Sequence, residues 1–178
     1  MSDVPDIPEA SDKRLNRAVA ATVVVLSVAM ALSNIKDGNI VQTMQQAQAT
    51  QIDSWNEYQA TRLKLHMEEI AAAQAGRGED AARAGAAVRK YAAESPRLKA
   101  QALAAKEDYD KAGYRDDQFD LADGFASIAL ATTAIAALVE TWWLLGVGWG
   151  AGALSLLFSV AGFAELPIHP DRLIAFLT

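Results

Sequence analysis

The sequence predicts an all-α membrane protein: three transmembrane helices, with a long extramembrane helical hairpin, coiled-coil-like, inserted between the first and second. Three observations carry this expectation. Residues 15–33, 121–139 and 142–164 are strongly apolar, almost free of charge, and each about 19–23 residues long. A hydrocarbon core roughly 30 Å thick needs about 20 such residues at a rise of about 1.5 Å each. The charges fall almost entirely in residues 1–17 and 34–123, as expected of spans joined to a water-exposed part. Residues 34–118 are rich in helix formers and carry a repeating seven-residue pattern.

The order of elements follows from these blocks. Residues 1–14 hold Pro5, Pro8, Asp3, Asp6 and Glu9 with little to bury, and are expected to form a disordered tail. Lys13, Arg14 and Arg17 precede the first apolar run, and Ala29-Met30-Ala31 resembles a signal-peptide cleavage site. The run is long for a signal core and later spans follow, so 15–33 is read as a retained transmembrane helix. The three basic residues, against a lone Lys36, place the N-terminus in the cytoplasm and residues 34–118 outside. Lys106, Lys111 and Arg115 pull the other way, but loops longer than about 60 residues cross largely regardless of charge. The second and third spans are expected at 119–139 and 142–164, with a short interfacial tail at 165–178.

Within the hairpin, residues 37–75 contain no Pro and no Gly beyond Gly38; Gly76-Arg77-Gly78 then breaks the helix, and 79–117 resume it. The arms are of equal length, about 39 residues or roughly 58 Å, so a chain leaving the bilayer near Ser33 returns to it near Gln118. Along the second arm Val88, Tyr91, Ser95, Leu98, Ala102, Ala105, Tyr109 and Ala112 alternate steps of three and four, the spacing that keeps one helix facing another. Ser95-Pro96 predicts a kink or a restart, because proline removes a backbone donor and disfavours helical geometry at the residue before it. The seam is thin in large apolar residues. Either the arms pack closely through alanine within one hairpin, or arms from several copies bundle together.

Ile52-Asp53-Ser54-Trp55-Asn56-Glu57-Tyr58-Gln59-Ala60-Thr61, the preceding run from Asp37 to Ala47, and Tyr114-Arg115-Asp116-Asp117-Gln118-Phe119-Asp120-Leu121 together resemble the bacterial membrane proteins grouped as DUF4337, a domain of unknown function. The resemblance covers nearly the whole chain. It implies a bacterial inner-membrane protein with one span, a helical insert and a closing pair of spans, and it brings no activity, cofactor or site residues with it. Relatives often carry basic residues between the last two spans, implying a cytoplasmic turn; this chain has Glu140-Thr141-Trp142-Trp143 there.

Function classes narrow by exclusion. A net charge of −6 and a pI near 4.9 argue against nucleic acid, whose phosphates demand a basic surface. Cysteine is absent, removing disulfides, thiolate metal sites and cysteine nucleophiles. No nucleophile elbow, phosphate loop, zinc-protease motif or dinucleotide fingerprint occurs, so no catalytic residues and no cofactor are expected, and the chain is read as noncatalytic.

The polar candidates are few. Asp116, Asp120 and Asp123 share a helix face at the entrance to the second span, a weak metal candidate for a hard cation, set against solvated or Arg-paired carboxylates. Glu140 beside Trp142 and Trp143 reads as an interface anchor, and His66 and His169 as surface residues. Trp55, Tyr58, Leu63, Met67 and Ile70 read as core or an interhelix surface. Gly146, Gly148, Gly150 and Gly152, continued by Ser155, Ser159 and Gly162, form two overlapping G-x-x-x-G patterns that permit close helix approach in lipid. Their partner is either the chain's own spans or another copy. The expected function is a self-associating scaffold or accessory subunit, with the lipid bilayer and a homo-oligomer or membrane-protein partner. The alternative is a small oligomeric channel or transport accessory.

Overall fold

The computed structural model describes residues 13–177, with side chains described through 175; the tail expected over residues 1–14 lies outside it up to residue 12, and Lys13 and Arg14 already belong to the first helix. The described chain is all-helical, in four helices: α1 (Lys13–Gln74), α2 (Glu79–Leu138), α3 (Trp142–Ala164) and α4 (Asp171–Leu177). α1, α2 and α3 each contain a stretch long and apolar enough to cross a membrane. Two compact units result. One is built from the start of α1, the end of α2, α3 and α4; the other is Ile40–Gly113.

In the unit Ile40–Gly113, two helical arms meet at the Gly76-Arg77-Gly78 link, where both glycines take positive φ (20° and 138°) that a side chain would strain. Met44 packs against Gly113 at the end away from the link, which makes the arms antiparallel. Of the seam read from the sequence, Ser95, Leu98, Ala102 and Ala105 are buried, whereas Val88, Tyr91, Tyr109 and Ala112 are partly covered at its margin. α1 supplies the facing seam, absent from the sequence expectation. Ile40, Ala47, Ser54 and Thr61 are buried at intervals of seven, with the partly covered Met44, Gln51 and Tyr58 between them and buried Leu65 after them. Alanine, serine and threonine on both sides let the backbones approach, so contact comes from proximity rather than from bulk. Leu98 on α2, like Ile40 and Leu65 on α1, is a large exception, and its truncation leaves a void.

Pro96 does not restart the helix: α2 runs unbroken from Glu79 to Leu138 with Pro96 inside it. The expected restart is absent for a tertiary reason. Pro96 and Ala92, the residue whose carbonyl loses its donor, both lie on the exposed face, so water satisfies that oxygen while Ser95 and Leu98 hold the helix in phase.

The other unit is a three-helix bundle with α4 against one end. Leu15, Ala136 and Leu145 are buried together where α1 begins and α2 turns into α3. That turn is tight. Glu140 takes φ 50°, and the Thr141 hydroxyl donates to the Val139 carbonyl at 2.8 Å rather than capping α3. At the opposite end Leu121, Ala122 and Phe158 cluster with Phe125, Ile168 and Ile174, which brings the C-terminal segment onto α2. α3 ends on Glu165 in the left-handed region, and the Leu166 N–H donates to the Ala161 carbonyl at 2.9 Å, closing the last turn before Pro167.

Leu98→Ala is expected to lower the stability of the Ile40–Gly113 unit by about 2–4 kcal/mol through the cavity it leaves. Limited proteolysis of the full chain checks this as faster cleavage within that unit.

Candidate functional site

Two constellations in the three-helix unit carry polar or close-packing chemistry. The first is the small-residue stripe of α3, whose two overlapping patterns the structure separates. Gly148 and Gly152 face inward. A Cβ on Gly148 would lie 2.7 Å from Thr133 Oγ1 and 3.2 Å from the Ala129 carbonyl oxygen, so α2 approaches α3 closely enough to exclude one carbon atom. A Cβ on Gly152 would meet Leu26 of α1 at 3.2 Å, and one on Gly162 would enter the buried Phe119 ring at 2.7 Å. Ser155 is buried on the same face. The stripe is thus occupied by the chain's own α1 and α2. Gly146 and Gly150, a quarter-turn or more away, are exposed with nothing within 4 Å of their Cβ positions.

Hydrogen bonds fix the rotation of these helices. The Ser33 and Ser159 hydroxyls meet at 2.7 Å, buried between α1 and α3. The Trp149 indole N–H donates to Thr22 Oγ1 at 2.8 Å, and that hydroxyl donates in turn to the Ala18 carbonyl. Such bonds between helices are worth about 0.6–2 kcal/mol each in lipid. Ala122, Ala126 and Ala129 of α2 are also buried, so small residues line two of the three facing surfaces.

The second constellation gathers charge where α2 enters its apolar stretch. The segment Tyr114 to Asp120 places a polar side chain on every side of α2, and the C-terminal segment supplies partners. The His169 ring stacks on Tyr114 at 4.2 Å, with Nε2 2.9 Å from Asp117 Oδ2 and Nδ1 2.6 Å from Asp171 Oδ1. His169 is therefore not the surface residue expected: its side chain is 14% exposed, whereas His66 is solvent-facing beside Glu69. Gln118, fully buried, donates through Nε2 to the Leu166 and Ile168 carbonyls at 2.8 and 2.7 Å and so ties that segment down. Arg115 pairs with Glu165 at 3.0 Å instead of with the aspartates.

Asp116, Asp120 and Asp123 share a stripe on α2 but not an environment. Asp116 hydrogen-bonds Asp37 of α1, Asp120 is exposed, and Asp123 carries a buried, unpartnered Oδ1, as Asp37 does. Among the described residues no three acidic or histidine side chains are arranged to hold a metal ion. The weak cation candidate fails on this geometry, because side chains spaced by three and four follow different neighbours once α1 packs against them. Asp37, Tyr114, Gln118 and Glu165 were missed as site residues. The polar string at 114–118 was the available signal.

Protonation follows from the crowding. Burial, the hydrogen bond with Asp37, and the charges of Asp37, Asp120 and Asp117 push the Asp116 carboxyl up to about 7. At His169 burial favours the neutral ring, but Asp117 and Asp171 outweigh it and raise the imidazole above its usual value. Both groups bind protons more tightly folded than unfolded. Their contribution is present at low pH, and it is lost for Asp116 as pH climbs from the ordinary carboxylate range through 7, and for His169 as pH climbs through its raised value.

Acidification from pH 8 to pH 5 is therefore expected to raise the melting temperature of the detergent-solubilised chain. Asp116→Asn should flatten that rise and stabilise the chain at pH 8 by on the order of 1–2 kcal/mol after screening. In the bundle, Gly148→Leu should cost on the order of 1–3 kcal/mol from overpacking. Gly150→Leu should leave melting unchanged or raise it, since its Cβ meets open space; equal melting temperatures for the two variants would contradict the assigned faces.

A family model described as "Domain of unknown function (DUF4337)" matches residues 15–165 of the chain. No curated protein and no solved structure matches it.

Proposed function

We propose that this chain, which belongs to the DUF4337 family, is a noncatalytic integral membrane protein that self-associates as a scaffold or accessory subunit. Its three apolar stretches are read as membrane spans, because the chain itself covers so little of them. Only 11% of the most apolar window of α1 is buried, leaving Val24, Val25, Val28 and Leu32 uncovered. Lipid is the solvent that makes such a surface stable. Ile40–Gly113 then forms the extramembrane hairpin, outside the cytoplasm if the basic N-terminal residues set the orientation, and the membrane is the bacterial inner membrane that the family resemblance implies.

The observation that carries self-association lies on that hairpin. Leu63, Met67 and Ile70 of α1 follow one another at spacings of four and three on one face, 63%, 61% and 50% exposed. They stand outside the apolar stretches, where water makes an uncovered stripe of large side chains costly. A second hairpin presenting the same stripe covers it, extending the thin intrachain seam into a bundle. A pore reading finds less support: Ser33 and Ser159, Thr22, and Thr132 spend their hydroxyls on one another, on Trp149 and on backbone carbonyls.

Mass measurement of the detergent-solubilised chain tests the proposal. An oligomer is expected, and Leu63→Lys with Met67→Lys should convert it to monomer at least tenfold more readily on dilution; a wild-type monomer at all concentrations would refute self-association. In liposomes the wild-type chain is expected to pass no ions at any applied voltage.

A further inference from the structure

A groove of about 360 Å³ runs along α2 in the three-helix unit, lined by Asp117, Asp120, Leu121, Gly124, Phe125 and Ile128, with Leu173 and Ile174 of α4 as its other wall. Its polarity is ordered. The two carboxylates stand at one end, and every residue beyond them is apolar or glycine. Asp117 to Ile128 covers roughly 16 Å of helix, about the depth of one leaflet of the hydrocarbon core. Gly124 keeps the middle open, with nothing within 4 Å of where its Cβ would be.

Charge selects the occupant. No Lys or Arg lines the groove. Of the neighbouring cations, Arg115 pairs with Glu165, His169 bonds Asp171 and the groove's own Asp117, and Arg172 beside Leu173 is exposed, so Asp120 is the groove carboxylate that His169 does not engage. Among the lining residues an anionic headgroup would meet carboxylates and no cation, whereas an ammonium donates hydrogen bonds to Asp120 and to Asp117 beside it. We propose that this groove binds one phospholipid with a primary-ammonium headgroup, phosphatidylethanolamine in type, its amine at Asp117 and Asp120 and an acyl chain along Leu121, Phe125 and Ile128. The assignment rests on the membrane reading above. A quaternary ammonium, lacking N–H donors, binds less well, and a glycerol headgroup least.

The test is native mass spectrometry of the full chain released from micelles doped with ethanolamine, choline or glycerol phospholipids of identical acyl chains. Ethanolamine adducts are expected at least fivefold above glycerol adducts. Asp120→Asn should reduce that preference severalfold while adducts persist. Gly124→Leu, which fills open space and leaves melting unchanged, should remove adducts of every headgroup. A detergent-dependent chain that binds all three lipids equally, prefers glycerol, or keeps its adducts in Gly124→Leu overturns the groove assignment alone. A chain monodisperse without detergent overturns it together with the membrane reading.

Discussion

Close approach of helix backbones through small side chains is the constraint on which both units depend. In the three-helix unit it is most acute at Gly148, where the space between α3 and α2 excludes a single methyl group, and at Gly162, which receives the Phe119 ring. In Ile40–Gly113 the same device takes a softer form, with alanine, serine and threonine opposed across two helices. A chain built this way gains contact from shape rather than from buried area. The arrangement suits lipid, where apolar bulk gives one helix no preference for another over the surrounding tails. In water it leaves the hairpin short of apolar burial, which is why an uncovered stripe at Leu63, Met67 and Ile70 carries weight there.

The acidic end of the bundle shows a different use of packing. Asp37 and Asp116 are held together although their charges repel, and the raised pKa of Asp116, which favours its neutral form, eases the conflict. His169 and Gln118 pull the C-terminal segment against α2, through carboxylates in one case and backbone carbonyls in the other. That attachment positions α4 and so creates a wall for the groove. The electrostatic cluster and the apolar groove are thus parts of one arrangement, in which Asp117 both holds His169 and, with Asp120, lines one end of the groove.

Much of the secondary structure was legible in advance because it depends on local properties. Helix-forming composition, the Gly76-Arg77-Gly78 break and the apolar blocks are sums over neighbouring residues, and the structure has helices ending at Gln74, resuming at Glu79 and turning before Trp142. The site was less legible. The α1 seam escaped notice because Ala47, Ser54 and Thr61 are too small or too polar to register as apolar periodicity. The restart read from Pro96 misled for the opposite reason, a strong local signal overruled by packing on one face and solvent on the other.

By itself the sequence determined that this chain is helical and that three stretches are long and apolar enough to cross a membrane, since both follow from residues adjacent along the chain. Only the tertiary structure decided that Gly148 and Gly152 are enclosed while Gly146 and Gly150 stay open, and that Asp37 meets Asp116 and Asp117 meets His169. Those outcomes depend on the rotation of each helix about its axis and on pairs separated by tens of residues. Composition carries no record of either.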